Sequence, residues 1–593
     1  VRSLWLITLT LMTLILASCG GGGSSSPAPQ SVAPPSASQP SATSVALSGK
    51  ITYDRVYHNQ NSGLDYANIK VQPARGIVVE LIDASGDIIA SALTDSDGLY
   101  SFTTDPNVDL RIRAKAQILS ETKAKWDFQV TDNTQGNSLY VLQGSLASTG
   151  SLARQSRDLH APLGWTGDSY GEPRAAAPFA IIDSIYTAVE TFSEIDPEVN
   201  FPALELRWST NNRTVIGDKT QGHIGTSAYD PDEGGGAIYL LGEEDRDTDE
   251  YDPHVILHEW GHYFEHQMSR ADSLGGLHSL NDRLDARVAF SEGWGNALSA
   301  ILLNDEVYRD SSGVSQRFGF SFNLESRQIN NPGWFSEASI GSVLYDIFDT
   351  QAETSDNISA GLVPLYSAIT SQSYKESPVF ATIFSVSDAL RQSGSFDITS
   401  LNALLNSQGI SGQGPDGNGE RNSGAIRSSL PVYKEAYLNG PAIELCSVDD
   451  AGTYNKLGNR EFIFLSLEAE TELTLSALKS SGDEDRDPDF NIWQGNNRID
   501  NSASSKKGEE TYQGELPAGD YVIEIYDFFN INGLGSKRGI KAITNPAQQS
   551  LFCMTMMDRP GLTSERISRS RLSTITAPDI YLCVFWKRPN FKF

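Results

Sequence analysis

Cysteine is scarce, with four in 593 residues. That excludes a fold stapled by a dense disulfide framework. Basic residues are also short: 45 Lys and Arg stand against 75 Asp and Glu, and the net charge of −30 speaks for solubility and against nucleic-acid binding. Long apolar runs are missing after the first 18 residues. There the run LWLITLTLMTLILAS follows Arg2; it is shorter than the ~20 residues that span a bilayer and has the length of a signal-peptide core. Histidine is sparse too, with eight in the chain, yet His254, His258, His262 and His266 recur at four-residue intervals in one stretch.

Residues 258–262 of that stretch read HEWGH. Asp252 followed by Pro253 is a helix-start signal, an N-cap side chain with proline at the first helical position. Val255, Ile256, Leu257, Trp260, Tyr263 and Phe264 supply the apolar positions of a helix buried beside a core. On such a helix His258 and His262 stand one above the other on a single face, so both imidazoles can reach one ion. A catalytic zinc takes three protein ligands and leaves a position for water, whose pKa it lowers from 15.7 towards about 7. Glu259 sits beside the first ligand, where a carboxylate can accept the proton that water loses. His254 and His266 lie about 6 Å further along the axis and cannot share the ion; they are read as supporting or surface residues. The expected chemistry is metal-assisted hydrolysis.

The third ligand separates the classes of zinc hydrolase. In the pattern HExxHxxGxxH, the glycine position is Glu265 here and the last histidine position is Met268, which excludes the metzincins. The string AFSEGWGNALSA, with Glu292 and Asn296, resembles instead the second helix of the gluzincin peptidases. The resemblance implies that His258, His262 and Glu292 bind zinc and that Glu259 acts as base and then as acid. It also implies that Asn296, where aspartate is usual, orients the first histidine. Glu265, Asp282 and Asp285 stay open as rival third ligands. Such enzymes hold substrate along an edge strand and place a Tyr or His donor near the developing oxyanion. AIYLLG at 237–242 is the expected edge strand, and His278 and Tyr345 are the nominated donors.

The fold class expected is multidomain: an α+β zincin-like metallopeptidase core with a helical C-terminal subdomain, flanked by two β-sandwich domains. Residues 1–18 resemble a bacterial lipoprotein signal peptide, with LASC marking Cys19 for lipid, and 19–45 form the lipid anchor and a flexible Gly/Ser/Pro linker. Residues 46–150 alternate strand-like runs with turns such as ASGD and DSDG, and resemble prealbumin-like sandwich domains. The metallopeptidase domain is expected over 160–440. Residues 443–555, with DPDFNIW and LPAGDYVIEIYDF, resemble the pre-peptidase C-terminal domain of secreted proteases. The tail 559–593 turns basic and has no structural reading.

The function expected is an extracellular zinc endopeptidase acting on protein or peptide, lipid-anchored at the bacterial cell envelope through Cys19 or secreted, with no nucleic-acid partner. Two alternatives stay open: a non-catalytic surface adhesin carrying a relic zinc fold, and a zinc hydrolase of peptidoglycan or other amide bonds. Calcium could bind the acidic run EEDRDTDEYD at 243–252, although such runs are commonly just solvated; Asp95 and Asp97 fit a turn better than a cation site. Cys446 and Cys553 bracket one β domain and are expected to pair in an oxidising compartment, leaving Cys583 odd. GDSYG at 167–171 matches a serine-hydrolase elbow in letters only, with no buried strand ahead of Ser169.

Overall fold

The computed structural model describes residues 43–326, 328–349, 358–395, 397–438, 440–482 and 485–532, with backbone alone for Phe552–Met556 and Phe585–Trp586. The expected signal peptide, Cys19, nearly all of the linker, Cys583 and most of the 559–593 tail lie outside the described residues. Among the described residues, no helix is long and apolar enough to cross a membrane.

The chain is multidomain and rich in β-sheet. Val45–Arg55 alternates buried and exposed positions and anchors a five-stranded sheet. A ten-stranded sheet runs in the order Ala228–Asp230, Ala237–Leu240, Leu204–Trp208, Lys125–Asp132, Asp109–Glu121, Ile77–Asp83, Ile88–Leu93 along its main path. This sheet crosses the boundary expected near 150–160. Lys125–Asp132 and Leu204–Trp208 pair in parallel, with Leu204 opposite Phe128 and Leu206 opposite Val130. Parallel neighbours need a crossover, and the helix α1, Ala177–Ile195, lies in that connection. Its Ile182, Ile185, Val189 and Phe192 bury against the same core as Phe128, Val130, Leu204 and Leu206. Local composition and alternation mark the strands, whereas pairing across an intervening helix leaves no periodic trace in the sequence.

The strand expected at the sheet edge is interior. Ala237–Leu240 is buried at every position and is flanked by Leu204–Trp208 on one side and Ala228–Asp230 on the other. The edge is therefore Ala228–Asp230, running antiparallel to its neighbour. An unbroken apolar run is the mark of a strand covered on both faces.

The long helix α2 (Pro253–Met268) packs beside this sheet, a second long helix α3 (Ala286–Leu303) packs on α2, and α4 (Glu337–Phe348) packs on α3. Shorter helices Leu362–Thr370, Ile383–Ser393 and Ile398–Ser407 follow. Beyond them are two further five-stranded sheets. Their inner residues, including Leu445, Leu465, Leu475, Phe490 and Ile523, form a separate apolar cluster. The first strand here, Tyr433–Ala436, pairs in parallel with Arg460–Leu467, so this β unit begins before the expected position 443.

Candidate metal centre

The helix α2 begins at Pro253, as the sequence predicts, with Asp252 as the N-cap residue. The expected capping bond is absent, because the Asp252 carboxylate is used elsewhere: it accepts from the Ser311 N–H at 2.9 Å and lies 2.7 Å from His58 Nε2. The apolar face of α2 buries Ile256, Leu257, Trp260, Tyr263 and Phe264. Phe264 stacks on Phe192 at 4.8 Å between ring centroids, a contact that joins α2 to α1. The opposite face presents His258, Glu259 and His262 to a cleft.

Two glycines set the approach of α3. A Cβ on Gly261 would lie 3.1 Å from the Gly295 Cα, and one on Gly295 would lie 2.9 Å from the His258 ring. Only bare backbone on both sides lets the helices come this close, and the approach brings Glu292 to the two imidazoles. Glu292 Oε2 is 3.2 Å from His258 Nε2 and 3.4 Å from His262 Nε2, and the two Nε2 atoms are 3.1 Å apart. One donor atom from each of His258, His262 and Glu292 falls within a 4.8 Å group.

The far nitrogens of both rings are also engaged. His258 Nδ1 is 3.0 Å from Asn296 Oδ1. His262 Nδ1 is 3.1 Å from Ser291 Oγ, and that hydroxyl donates to Glu265 Oε2 at 2.6 Å. Glu265 thus stands behind His262, on the side away from Glu292. Of the other rival ligands, Asp285 caps α3 and pairs with Arg287 at 2.9 Å, while Asp282 lies 3.4 Å from Lys456 Nζ. Neither belongs to the group.

Burial pulls the His262 imidazolium down, but Glu292, Glu265 and Glu259 outweigh it and hold its pKa well above the ordinary range. For Glu292, burial acts upwards and is overcome by His262, His258 and His278, which hold the carboxyl well below its usual value. The pocket is built to keep a carboxylate ionised beside positive charge. A divalent cation would satisfy the same field while displacing protons from the rings.

Glu259 Oε2 accepts the Tyr229 backbone N–H at 2.8 Å, which ties the α2 carboxylate to the edge strand. The cleft between them has a volume of about 680 Å³; the 226–229 segment forms one wall and 273–278 the other. His278 lines it, with Nε2 3.2 Å from Glu292 Oε2 and Nδ1 2.7 Å from Glu337 Oε2. Burial lowers its pKa, but the bond to Glu337 and the charge of Glu292 raise it to about 9. Tyr345, the other nominated donor, is buried on α4 beside Phe348, and the cleft lining does not include it.

His254 and His266 stand apart from this group. His254 Nδ1 is 3.4 Å from Ser299 Oγ, and His266 Nδ1 is 2.8 Å from Tyr229 Oη. Ser169 is exposed in a turn, 3.5 Å from Asp168. Asp95 accepts the N–H groups of Asp97 and Leu99, a turn bond set. The acidic run 243–252 does bring Asp247 and Asp249 together with Asp310. Burial first, and repulsion from neighbouring carboxylates second, raise all three. Cys446 is disulfide-bonded, and the ladder sets Cys553 opposite it.

Residues 220–390 match the Mycolysin C-terminal domain. This relates the segment that carries His258, Glu259, His262 and Glu292 to a peptidase-associated domain. No curated protein matches the chain. Among solved structures, the pre-peptidase C-terminal domain of a Bacillus anthracis collagenase is 8% identical, covering 21% of this chain and 93% of that one at a TM-score of 0.15. PliG of Aeromonas hydrophila, a periplasmic inhibitor of g-type lysozyme, is 14% identical, covering 21% of this chain and 96% of its own at a TM-score of 0.14. TM-scores this low decide nothing about the fold.

Sequence reasoning missed Ser291, Glu337, the edge-strand N–H of Tyr229, and the paired glycines. The glycines left a signal, since HEWGH carries one and EGWGN two where a helix interior disfavours them. Glu337 left none, as it comes from a third helix.

Proposed function

We propose that this chain is an extracellular zinc-dependent endopeptidase. One observation carries the reading: two imidazoles and a carboxylate from two helices converge within 4.8 Å, beside Glu259 in an open cleft. Two nitrogens and one carboxylate form a catalytic zinc donor set, with geometry left for solvent and substrate. His258, His262 and Glu292 would hold the ion. Bound there, zinc supplies Lewis acidity towards a peptide carbonyl and lowers the pKa of water.

The chain's own groups do the rest. Glu259, oriented by the Tyr229 N–H, takes a proton from the attacking water and returns it to the departing amine. Asn296 and Ser291 fix the rings of His258 and His262. His278, held by Glu337, is the donor for the developing oxyanion. An extended substrate adds along the edge strand Ala228–Asp230, with main-chain bonds giving affinity. Lipid attachment at Cys19, calcium at Asp247, Asp249 and Asp310, and the Cys446–Cys553 bridge belong to the same proposal.

The test is chelation. Phenanthroline treatment is expected to abolish cleavage of denatured casein, and stoichiometric zinc to restore it. Cleavage that persists after the metal is removed contradicts the reading. Cleavage of muropeptides with casein left intact favours the amide-hydrolase alternative, and bound zinc with neither substrate cut favours the adhesin.

A further inference from the structure

One wall of the cleft is held by the C-terminal β unit. Between its strands Ile443–Ser447 and Arg460–Leu467 runs a strap, and three consecutive strap side chains grip three carbonyls of the 274–277 segment. Tyr454 Oη donates to Leu274 O at 3.2 Å, Asn455 Nδ2 to Gly275 O at 2.8 Å, and Lys456 Nζ to Leu277 O at 2.5 Å. Gly276 lies flat against the Tyr454 ring: at its φ of +96°, a Cβ would meet the ring at 2.8 Å.

The strap is itself rigid. Asn459, fully buried, donates to Val448 O and Gly452 O and accepts the Lys456 N–H. Backbone bonds continue the seam towards α3, from Leu457 N–H to Arg283 O and from Asp285 N–H to Asn455 O, each at 2.9 Å. Leu274, Gly275, Leu277 and His278 all face the cleft. Leu277 is 92% exposed, so its own packing does not hold this stretch of the wall. Between Leu274, which packs on the core, and His278, which is bonded to Glu337, the backbone is held by the three carbonyl bonds and by Gly276 against the Tyr454 ring.

We propose that Tyr454, Asn455 and Lys456 are positioning residues for substrate binding, which makes the C-terminal β unit part of the cleft rather than a detachable appendage. This rests on the reading of the cleft as a hydrolytic site.

The experiment uses the full chain carrying Tyr454→Phe and Lys456→Met, which removes two grips and leaves the buried Asn455 in place. In kinetics on labelled casein, KM is expected to rise about fivefold, with kcat and bound zinc within about twofold of wild type. Lys456→Arg with Tyr454 intact is expected to keep the wild-type KM. Separately, in a Glu259→Gln background that prevents self-cleavage, nicking of 271–283 by added proteinase K is expected to rise about tenfold, as a local opening would allow. An unchanged KM overturns the proposal, and so does a loss of zinc together with kcat, which would move the strap's effect to the metal centre. If wild type cleaves nothing, the hydrolase reading fails on its own, and an unchanged nicking rate then removes the strap's hold as well.

Discussion

His258 and Asn296 face each other at 3.0 Å between Nδ1 and Oδ1, and this contact decides which nitrogen of the ring is free. An amide oxygen can only accept, so Nδ1 carries a proton, and Nε2 is the nitrogen whose lone pair a metal ion would take. The sequence pattern usually has aspartate here; asparagine fixes the same tautomer without adding a negative charge.

Replacing Asn296 with leucine leaves Nδ1 without an acceptor. Zinc affinity, measured by competition with a chromophoric chelator, is expected to fall about 10–100-fold, while Asn296→Asp keeps it. Equal affinities in all three proteins would remove Asn296 from the site.

Gly295→Ala places a methyl 2.9 Å from the His258 ring. The helices must part or the ring must turn, and either change opens the ligand group. Zinc content after dialysis is expected to fall well below one ion per chain, with far-ultraviolet circular dichroism unchanged. Full occupancy would show that the close approach of the helices is not needed.

Glu524 in the C-terminal unit accepts from Arg287 of α3 at 2.8 Å and from Arg460 at 2.9 Å, all buried at the interface. Burial acts upwards on its carboxyl, but Arg287 and Arg460 prevail and hold it at about 2. A depressed pKa means that the stabilisation is present above the unfolded value near 4.3 and is lost as pH falls through the folded one. Glu524→Gln leaves two buried cations short of a partner, at a cost of about 3–5 kcal/mol. Its melting temperature is expected to lie below that of wild type at pH 6, with the gap closing towards pH 2. A gap that is the same at every pH contradicts the assignment.

The cluster of Asp247, Asp249 and Asp310 has the opposite sign. Its carboxyls are raised, so the folded chain keeps protons that the unfolded chain has lost, and stability falls as pH rises from about 4 towards the folded values. Asp310→Asn is expected to raise the melting temperature at pH 8 and leave it unchanged at pH 5. Millimolar calcium is expected to give wild type the same gain at pH 8; a wild type that calcium does not move ends the calcium proposal.

Much of the candidate centre could be read from the chain because helical spacing is local. His258 and His262 share a face by periodicity alone, and Glu292 with Asn296 repeats the same four-residue logic on a second helix. What stayed hidden depends on tertiary contact. Ser291, for example, matters only because α3 turns it towards His262. The edge strand is hidden for a related reason: AIYLLG has strand composition, but only the pairing of Ala228–Asp230 outside it makes it interior. The pairing across the expected boundary near 150–160 is hidden in the same way, since Phe128 and Leu204 are distant in sequence and adjacent in the sheet.

Glu259→Gln separates binding from turnover. The amide can still accept the Tyr229 N–H but cannot take a proton, so zinc content is expected to stay at the wild-type level while casein cleavage falls about 10²–10⁴-fold. Retained activity would assign the base elsewhere.

The central claim is the convergence of two imidazoles and one distant carboxylate on a single divalent ion. Anomalous diffraction at the zinc edge from crystals of the zinc-loaded chain tests it most directly. The predicted result is one peak bonded to His258 Nε2, His262 Nε2 and a Glu292 oxygen at about 2.0–2.2 Å. A peak away from this trio, or one with Glu292 turned aside and another acid in its place, contradicts it.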